Sequence, residues 1–386
     1  FFKYFNFFAE NFAQAFTLFG MQFDPVRLNI VLPVGISFYT FQTLSYSIDV
    51  YRGQMPAKKD PFAFFAFVSF FPQLVAGPIE RAANLLPQFL KERKFDYASA
   101  VDGMRQILWG LFKKIVIADN CAVYVDQIFG NNADLSGSTL LLGAVFFAFQ
   151  IYGDFSGYSD IAIGTAKLFG FNLMRNFAFP YFSRDIAEFW RRWHISLSTW
   201  FRDYLYIPLG GSRCGTGMKV RNTFIIFIVS GFWHGANWTF VIWGALNAIY
   251  FMPLLLAKKN RIHRGIAAGG RILPSFKDVL QISFTFFITN IAWIFFRAES
   301  VSHALEYLGG IFSPNFFSMP EFLPLDLFIF IGIMIVSEWL QRDRQHPLEF
   351  EGLKIPVYVR YAVYYGIALI IFLFGGTQQQ FIYFQF

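Results

Sequence analysis

The chain has 386 residues, of which 55% are hydrophobic and only 15% are charged. This composition excludes an ordinary soluble protein, in which about 25% of residues are charged. The net charge of +7 does not indicate a nucleic-acid partner, because the basic residues fall in short segments between apolar stretches, as expected for the loops of a membrane protein. We therefore predict an all-α protein that crosses the lipid bilayer several times.

The first part of the chain contains apolar segments of unequal length. Residues 28–48 are long enough to cross a bilayer, whereas residues 62–76 are short and predict a re-entrant or buried segment. Residues 101–129 have helical periodicity but carry Lys113 and Lys114 in the middle. That pattern favours a helix that lies partly along the membrane interface.

The next apolar segment begins at Thr139 and runs into the polar stretch Tyr152–Asp160. Within it, Gly-Asp-Phe-Ser-Gly resembles a hydrolase nucleophile motif, but the serine stands one position too late and no strand is predicted before it. We interpret the stretch as a polar break in a membrane helix. Asp154 and Asp160 need polar partners or water at such a depth, which makes Asp154 a candidate residue of an internal cavity.

Residues 185–206 carry apolar side chains at helical spacing, with a polar row on the opposite side. This pattern predicts one amphipathic helix. Asp185 and Glu188 have the spacing of an N-terminal cap, and Pro208 follows the predicted end. His194 would lie on or beside the aromatic face of this helix.

His234 interrupts a second apolar run, residues 223–256, which is long enough for one span and a further segment. An ionisable side chain at that depth is a candidate functional residue. A lone histidine suits general-base catalysis, in which it removes a proton from an acceptor hydroxyl as this attacks an acyl thioester. No spacing of the five histidines and two cysteines is typical of a metal site, so we expect no bound metal. An inert, hydrogen-bonded role remains the alternative for both His194 and His234.

Two blocks of sequence carry a family resemblance. They are EFWRRWHISLSTWFRDYLYIPLGG, residues 188–211, and WHGANW, residues 233–238. Together they resemble the membrane-bound O-acyltransferase family, and within it the bacterial alginate O-acetyltransferase branch. The resemblance implies an all-α polytopic fold with roughly ten or more transmembrane, re-entrant and interfacial helices around a central tunnel. It also implies that residues 1–386 form a single membrane domain that lacks the N-terminal helices of the family.

The same resemblance assigns roles to individual residues. It implies that His234 is the catalytic residue and that His194 is a second essential polar residue on the substrate path. Trp193 and Trp233 flank these histidines and are candidate substrate-binding residues. Asn237 would lie one helical turn from His234 and, by its position and not by the resemblance, would orient the imidazole or the acyl carbonyl.

Residues 210–219 form a glycine-rich loop that lacks the Gly-Lys-Ser/Thr ending of a phosphate-binding loop. Nucleotide binding is therefore disfavoured, but Arg213 in this loop could meet an anionic head group of the donor. The basic loop 258–277 is expected in the cytoplasm, and the acidic loop 299–321 on the outer side.

The resemblance implies a location in the bacterial cytoplasmic (inner) membrane and a reaction without a bound cofactor. The donor would be acetyl-coenzyme A or another acyl thioester, including an acyl carrier protein, on the cytoplasmic side. The acetyl group would pass to an extracytoplasmic acetyltransferase partner that acts on a polysaccharide. Two alternatives stay open, namely D-alanyl transfer from a carrier protein to teichoic acid, and a transporter that performs no chemistry. Residues 206–211, Tyr-Ile-Pro-Leu-Gly-Gly, favour the alginate-like branch over the first alternative.

Overall fold

A computed structural model describes residues 3–29, 33 and 35–382, and every regular element in these ranges is helical. The first eight α-helices are α1 (Phe5–Thr17), α2 (Ile36–Tyr51), α3 (Pro61–Val68), α4 (Ala82–Leu90), α5 (Tyr97–Leu111), α6 (Asp119–Gly130), α7 (Gly137–Leu168) and α8 (Ile186–Arg192). The remaining ones are α9 (Ile195–Phe201), α10 (Thr216–His234), α11 (Trp238–Leu256), α12 (Phe276–Arg297), α13 (Val301–Ile311), α14 (Leu325–Leu340) and α15 (Val357–Phe374).

Four of these described helices, α7, α11, α12 and α15, are long and apolar enough to cross a membrane. They differ in their surroundings, because 83% of the most apolar window of α7 is buried inside the protein, against 6% for α15. Helix α7 is thus the central element, and α5, α6, α12 and α13 all pack against it. The described part of the chain is all-helical and contains helices that could span a membrane, as the composition predicted.

The backbones of helices α5 and α7 are in direct contact where the two helices cross. A Cβ atom on Gly103 would stand 2.6 Å from the carbonyl oxygen of Gly164, and one on Gly110 would stand 2.6 Å from that of Gly157. Only glycine leaves room for this approach, which is a common way for membrane helices to associate tightly.

The predicted break at Tyr152–Asp160 is wrong, because α7 continues through it without interruption. Its carboxylates meet cations of the neighbouring helix instead of water. Lys114 Nζ lies 2.6 Å from Asp154 Oδ1, and Lys113 Nζ lies 2.6 Å from Asp160 Oδ2. Paired in this way, both acidic side chains are accommodated without unwinding the helix.

Residues 101–129, for which the sequence predicts a position partly along the interface, pack against the central helix α7. Helix α5, the π-helical segment Phe112–Ala118 and α6 follow one another without a gap and pack along α7. Lys113 is only 3% exposed and also donates to Ser156 Oγ at 2.8 Å. A lysine in the middle of this stretch therefore indicated a buried ion pair.

The apolar run 223–256 folds into α10 and α11, a pair of packed helices joined by residues 235–237. The two segments predicted there are present. The predicted span 28–48 overlaps α2, but residues 30–32 and 34 lie outside the described part of the chain. Within 62–76 only the short helix α3 and turns are found, in agreement with a segment too short to cross.

Candidate functional site

The single helix predicted for residues 185–206 is wrong, because the chain turns sharply at His194. Helix α8 ends at Arg192, α9 begins at Ile195, and His194 adopts the left-handed conformation with φ 44° and ψ 56°. A non-glycine residue pays a free-energy cost there, and such residues are found preferentially at functional sites. The predicted cap is confirmed, since the Asp185 carboxylate accepts from the backbone N–H of Glu188 at 2.7 Å.

His194 is 1% exposed and packs edge-on against Phe155, with ring centroids 4.6 Å apart. Its Nδ1 lies 3.1 Å from Oδ1 of Asn176, a residue of the segment between α7 and α8. Its Nε2 has no hydrogen-bond partner among the residues that the structure describes. One ring nitrogen is thus held by the protein, and the other is a buried polar atom without a partner in the described ranges.

His234 is the last residue of α10 and lies in an aromatic cage. Its ring centroid is 4.8 Å from that of Trp233, 5.2 Å from that of Trp243 and 5.2 Å from that of Phe296. The Trp233 ring also lies 6.2 Å from the His194 ring. The structure therefore brings the two predicted histidines to the same tryptophan, although forty residues separate them in sequence.

A cation lies at the C-terminal end of α10. Lys3 Nζ donates to the carbonyl oxygens of His234 at 2.7 Å and of Trp233 at 3.1 Å. Burial lowers the pKa of Lys3 to about 8. These bonds satisfy carbonyl groups at the helix end, where no backbone partner follows, and so help to fix the position of His234.

The other predicted site residues have contacts of their own. The Asn237 side chain caps α11 by accepting from Thr239 N at 3.1 Å, and it donates to the carbonyl of Glu299 at 2.9 Å. Trp193 is buried and stacks on Phe189 with ring centroids 5.5 Å apart. A substrate role for Asn237 and Trp193 stays a prediction.

Asp154 and Arg213 lie in contrasting environments. Asp154 is buried, and its carboxylate receives Lys114 and the backbone N–H of Ile382, the latter at 2.7 Å. The protein partners that its depth requires are therefore present. Arg213 is exposed and follows Ser212, which lines a cavity between α9, α10 and α11. Its contact with a donor, like a substrate role for Asp154, stays a prediction.

A cavity of about 480 Å³ opens between α9, α10 and α11. Its outer part carries four cationic side chains: Arg202, Lys219, Lys258 and Arg261. Its inner part is apolar and aromatic, with Leu197, Phe201, Ile226, Phe227 and Phe251 among the lining residues. Ser230 also lines it and precedes His234 by one helical turn, a rise of about 6 Å. The cavity thus extends from a basic mouth to Ser230, one turn of α10 before His234, and its volume is in the range of small-molecule sites.

Arginines in and just before α8 bind the loop that follows α11 and carries Lys258 and Arg261 of the cavity mouth. Arg191 donates to the carbonyls of Asn260 at 2.9 Å and His263 at 2.6 Å. The buried carboxylate of Glu188 accepts from Arg184 and Arg192. Burial favours the neutral acid, but the hydrogen bonds from Arg184 and the charges of both arginines outweigh it and lower the pKa of Glu188. The loop is therefore anchored to the helix that ends just before His194.

Sequence reasoning missed Asn176, Lys3 and the partners of the α7 carboxylates. The doublet Lys113-Lys114 in an apolar stretch was a usable signal, because buried cations require nearby anions. Asn176 lies in an irregular segment without periodicity, and no local pattern distinguishes it. No group of three or more His, Cys, Asp or Glu side chains within the described ranges is placed to hold a metal ion.

Comparison with known proteins relates this geometry to a family and to curated relatives. A profile of the membrane-bound O-acyltransferase family matches residues 54–295. The chain is 43% identical over 321 residues to "Probable alginate O-acetylase AlgI" of Pseudomonas aeruginosa, covering 83% of the chain and 59% of that protein. It is 37% identical over 342 residues to the peptidoglycan O-acetyltransferase of Helicobacter pylori, covering 82% and 62%. It is 30% identical over 290 residues to the teichoic acid D-alanyltransferase of Streptococcus thermophilus, covering 68% of each. The chain thus spans about three fifths of the length of the first two relatives.

Proposed function

We propose that this chain, which belongs to the membrane-bound O-acyltransferase family, moves an acetyl group from a cytoplasmic thioester across the membrane for O-acetylation of an extracytoplasmic polysaccharide. The observation that carries the proposal is the pairing of the two motif histidines around Trp233, with His234 one helical turn after Ser230, which lines a cavity with a basic mouth. The family resemblance read from the two motifs is confirmed by the match over residues 54–295. The relatives named as O-acetylase and O-acetyltransferase share more identity with the chain than the D-alanyltransferase does, which supports acetyl as the transferred group.

In the proposed reaction His234 acts as general base. Its imidazole takes the proton of an acceptor hydroxyl while the oxygen attacks the thioester carbonyl, so that a C–O bond forms and the C–S bond breaks. The thiolate leaves and receives a proton from the imidazolium, which restores the neutral base. The surrounding rings of Trp233, Trp243 and Phe296 exclude water, which limits hydrolysis of the thioester.

The cavity provides the entrance for the donor. A thioester such as acetyl-coenzyme A carries phosphates at one end and a narrow, largely uncharged arm at the other. Lys219, Lys258 and Arg261 would bind the anionic end, and the apolar inner wall would receive the arm. An acyl carrier protein could present the same arm while its acidic surface meets the basic mouth.

The helix directions support access from two sides. Helix α10 begins at the basic mouth and ends at His234, and Asn237 contacts Glu299 at that second end. The basic loop 258–277 is the cytoplasmic candidate by charge, so the second end faces outwards. An extracytoplasmic acetyltransferase partner and its polysaccharide would receive the acetyl group there, at the outer face of the bacterial inner membrane.

A coenzyme A release assay separates this enzyme from a transporter. Purified protein in proteoliposomes, supplied with acetyl-coenzyme A and a hydroxyl acceptor such as a short polysaccharide fragment, should release free coenzyme A at a rate far above that of empty liposomes. Heat-inactivated protein is the control. If the acetyl donor is moved or left intact and no coenzyme A appears, the chain is not an acyltransferase for this donor. If the protein consumes a D-alanyl carrier protein but not acetyl-coenzyme A, D-alanyl transfer to teichoic acid is favoured instead.

The second prediction concerns the cations at the mouth of the cavity. The double variant Lys219→Ala/Arg261→Ala should raise the KM for the thioester about tenfold or more with kcat little changed, because the lost charges contact the anionic end and not the reacting carbonyl. Lys277→Ala is the matched control, since Lys277 is an exposed cation that lines a separate groove between α11 and α12. Equal KM values in the wild type, the double variant and Lys277→Ala would show that the donor does not bind in this cavity.

A further inference from the structure

The side chain of Asn176 is fully buried and uses its amide group on two sides. Its Oδ1 lies 3.1 Å from His194 Nδ1, 2.9 Å from Ser196 Oγ and 3.3 Å from the backbone N of Ser196. Its Nδ2 lies 3.2 Å from Ser159 Oγ on α7. Asn176 thus connects the central helix to the turn that carries His194.

These contacts determine the protonation of the imidazole. A backbone N–H can only donate, so the Asn176 atom that faces Ser196 N must be the carbonyl oxygen. That oxygen can only accept, so His194 Nδ1 must carry the hydrogen in the contact between them. The Nε2 atom of a neutral His194 then bears a lone pair.

We infer that Asn176 is a positioning residue that holds His194 as the Nδ1–H tautomer, so that Nε2 accepts a hydrogen bond from a second hydroxyl group of the acceptor, next to the one from which His234 takes the proton. The identity of that hydroxyl rests on the proposed function. Nε2 is buried and has no partner among the described residues, and a buried acceptor of this kind is costly until a donor binds. A substrate hydroxyl is such a donor.

The strained backbone of His194 supports this role. In the left-handed conformation His194 provides no side-chain cap for α9, and Asn176 supplies the missing acceptors from outside the helix. The backbone carbonyl of Asn176 accepts from Ile195 N at 2.9 Å, while its side chain accepts from Ser196 N. The same residue therefore holds both the start of α9 and the imidazole that precedes it.

The main chain also joins these two segments without help from the Asn176 side chain. The bond from Ile195 N to the Asn176 carbonyl is one such contact, and the bond from Ala178 N to the Arg192 carbonyl at 2.9 Å is another. Both are made between backbone atoms alone. Substitutions of the Asn176 side chain therefore leave this backbone pairing in place.

The tautomer of His194 can be measured directly in the whole protein. Five histidines are present, so 15N-labelled histidine gives few signals, and single His→Gln variants assign them. In the wild-type protein, His194 should show a protonated Nδ1 and an unprotonated Nε2 at neutral pH. A protonated Nε2 with an unprotonated Nδ1 would overturn the inference, whatever the activity of the protein.

Three variants then test the role in turnover. Asn176→Leu, similar in size but without an acceptor, should abolish the tautomer preference and lower kcat about 10- to 100-fold with an unchanged KM for the thioester. Asn176→Asp keeps an oxygen for His194 and Ser196 and should retain the Nδ1–H tautomer and most of the activity. Ser159→Ala removes only the partner of Nδ2 and leaves the oxygen contacts in place, so it should retain the Nδ1–H tautomer.

The outcomes separate this inference from the proposed function. A folded Asn176→Leu protein with wild-type kcat and an unchanged His194 signal would reduce Asn176 to a packing residue. Equal losses in Asn176→Leu and Asn176→Asp would point to general structural damage and would also overturn the positioning role. If the wild-type protein shows the expected tautomer but releases no coenzyme A, the proposed function fails while the placement of His194 stands.

Discussion

The His234→Ala protein should lose acyl transfer while it remains folded and inserted in the membrane. Removing a general base costs about 10² to 10⁴ in rate, and here the aromatic cage leaves little room for water to replace it. The contacts of Lys3 are made to backbone carbonyls, so they do not depend on the imidazole. The loss should therefore appear in kcat and not in the amount of folded protein.

The measurement is thioester consumption by purified protein at matched concentration, with elution in gel filtration as the check on folding. His303→Ala serves as control, because His303 lies on α13, at a distance in sequence from both motifs. Wild-type turnover by His234→Ala would exclude the residue as the base. A similar loss in His303→Ala would show that the assay reports damage common to any histidine variant.

The His194→Phe protein should lose activity by an order of magnitude or more. Phenylalanine keeps an aromatic ring against Phe155 but removes both nitrogens, and losing one hydrogen bond to the bound substrate costs roughly 1 to 3 kcal/mol when a buried polar group is left unsatisfied. If His194 served only for packing, the same substitution would preserve most of the activity.

The fold offers a close control for this experiment. His346 is also buried, and its Nε2 lies 3.1 Å from an oxygen of Asp102, as His194 Nδ1 lies 3.1 Å from one of Asn176. His346→Phe therefore removes a comparable buried and bonded ring elsewhere in the protein. Acetyl transfer, compared at equal abundance, should fall much further in His194→Phe than in His346→Phe. Equal activities of the two variants would show that His194 serves only for packing.

The sequence was sufficient to single out the two histidines, because each interrupts a pattern that otherwise serves burial. It could not predict the turn at His194. The periodicity of residues 185–206 is that of one helix, and the left-handed residue is held by Asn176, which comes from a separate segment of the chain. A conformation imposed by such a contact leaves no trace in local spacing.

The fold shows the same limit in α7. The stretch around Asp154 reads as a break if the helix is considered alone, since a charged side chain in lipid requires water. Its partner Lys114 comes from the neighbouring helix and lies forty residues earlier in the sequence. The all-helical character of the described chain and the presence of long apolar helices follow from composition, whereas the pairing of buried charges depends on which helices meet.

The glycine contacts between α5 and α7 have a consequence for motion during turnover. Where Gly103 faces Gly164 and Gly110 faces Gly157, the backbones touch, and neither helix can slide past the other without the two separating first. This pair should therefore move as one rigid body and serve as the fixed frame of the protein. Any opening that admits donor or acceptor then has to occur in elements packed through side chains, such as the loop at the mouth of the cavity and the short helices beside His194.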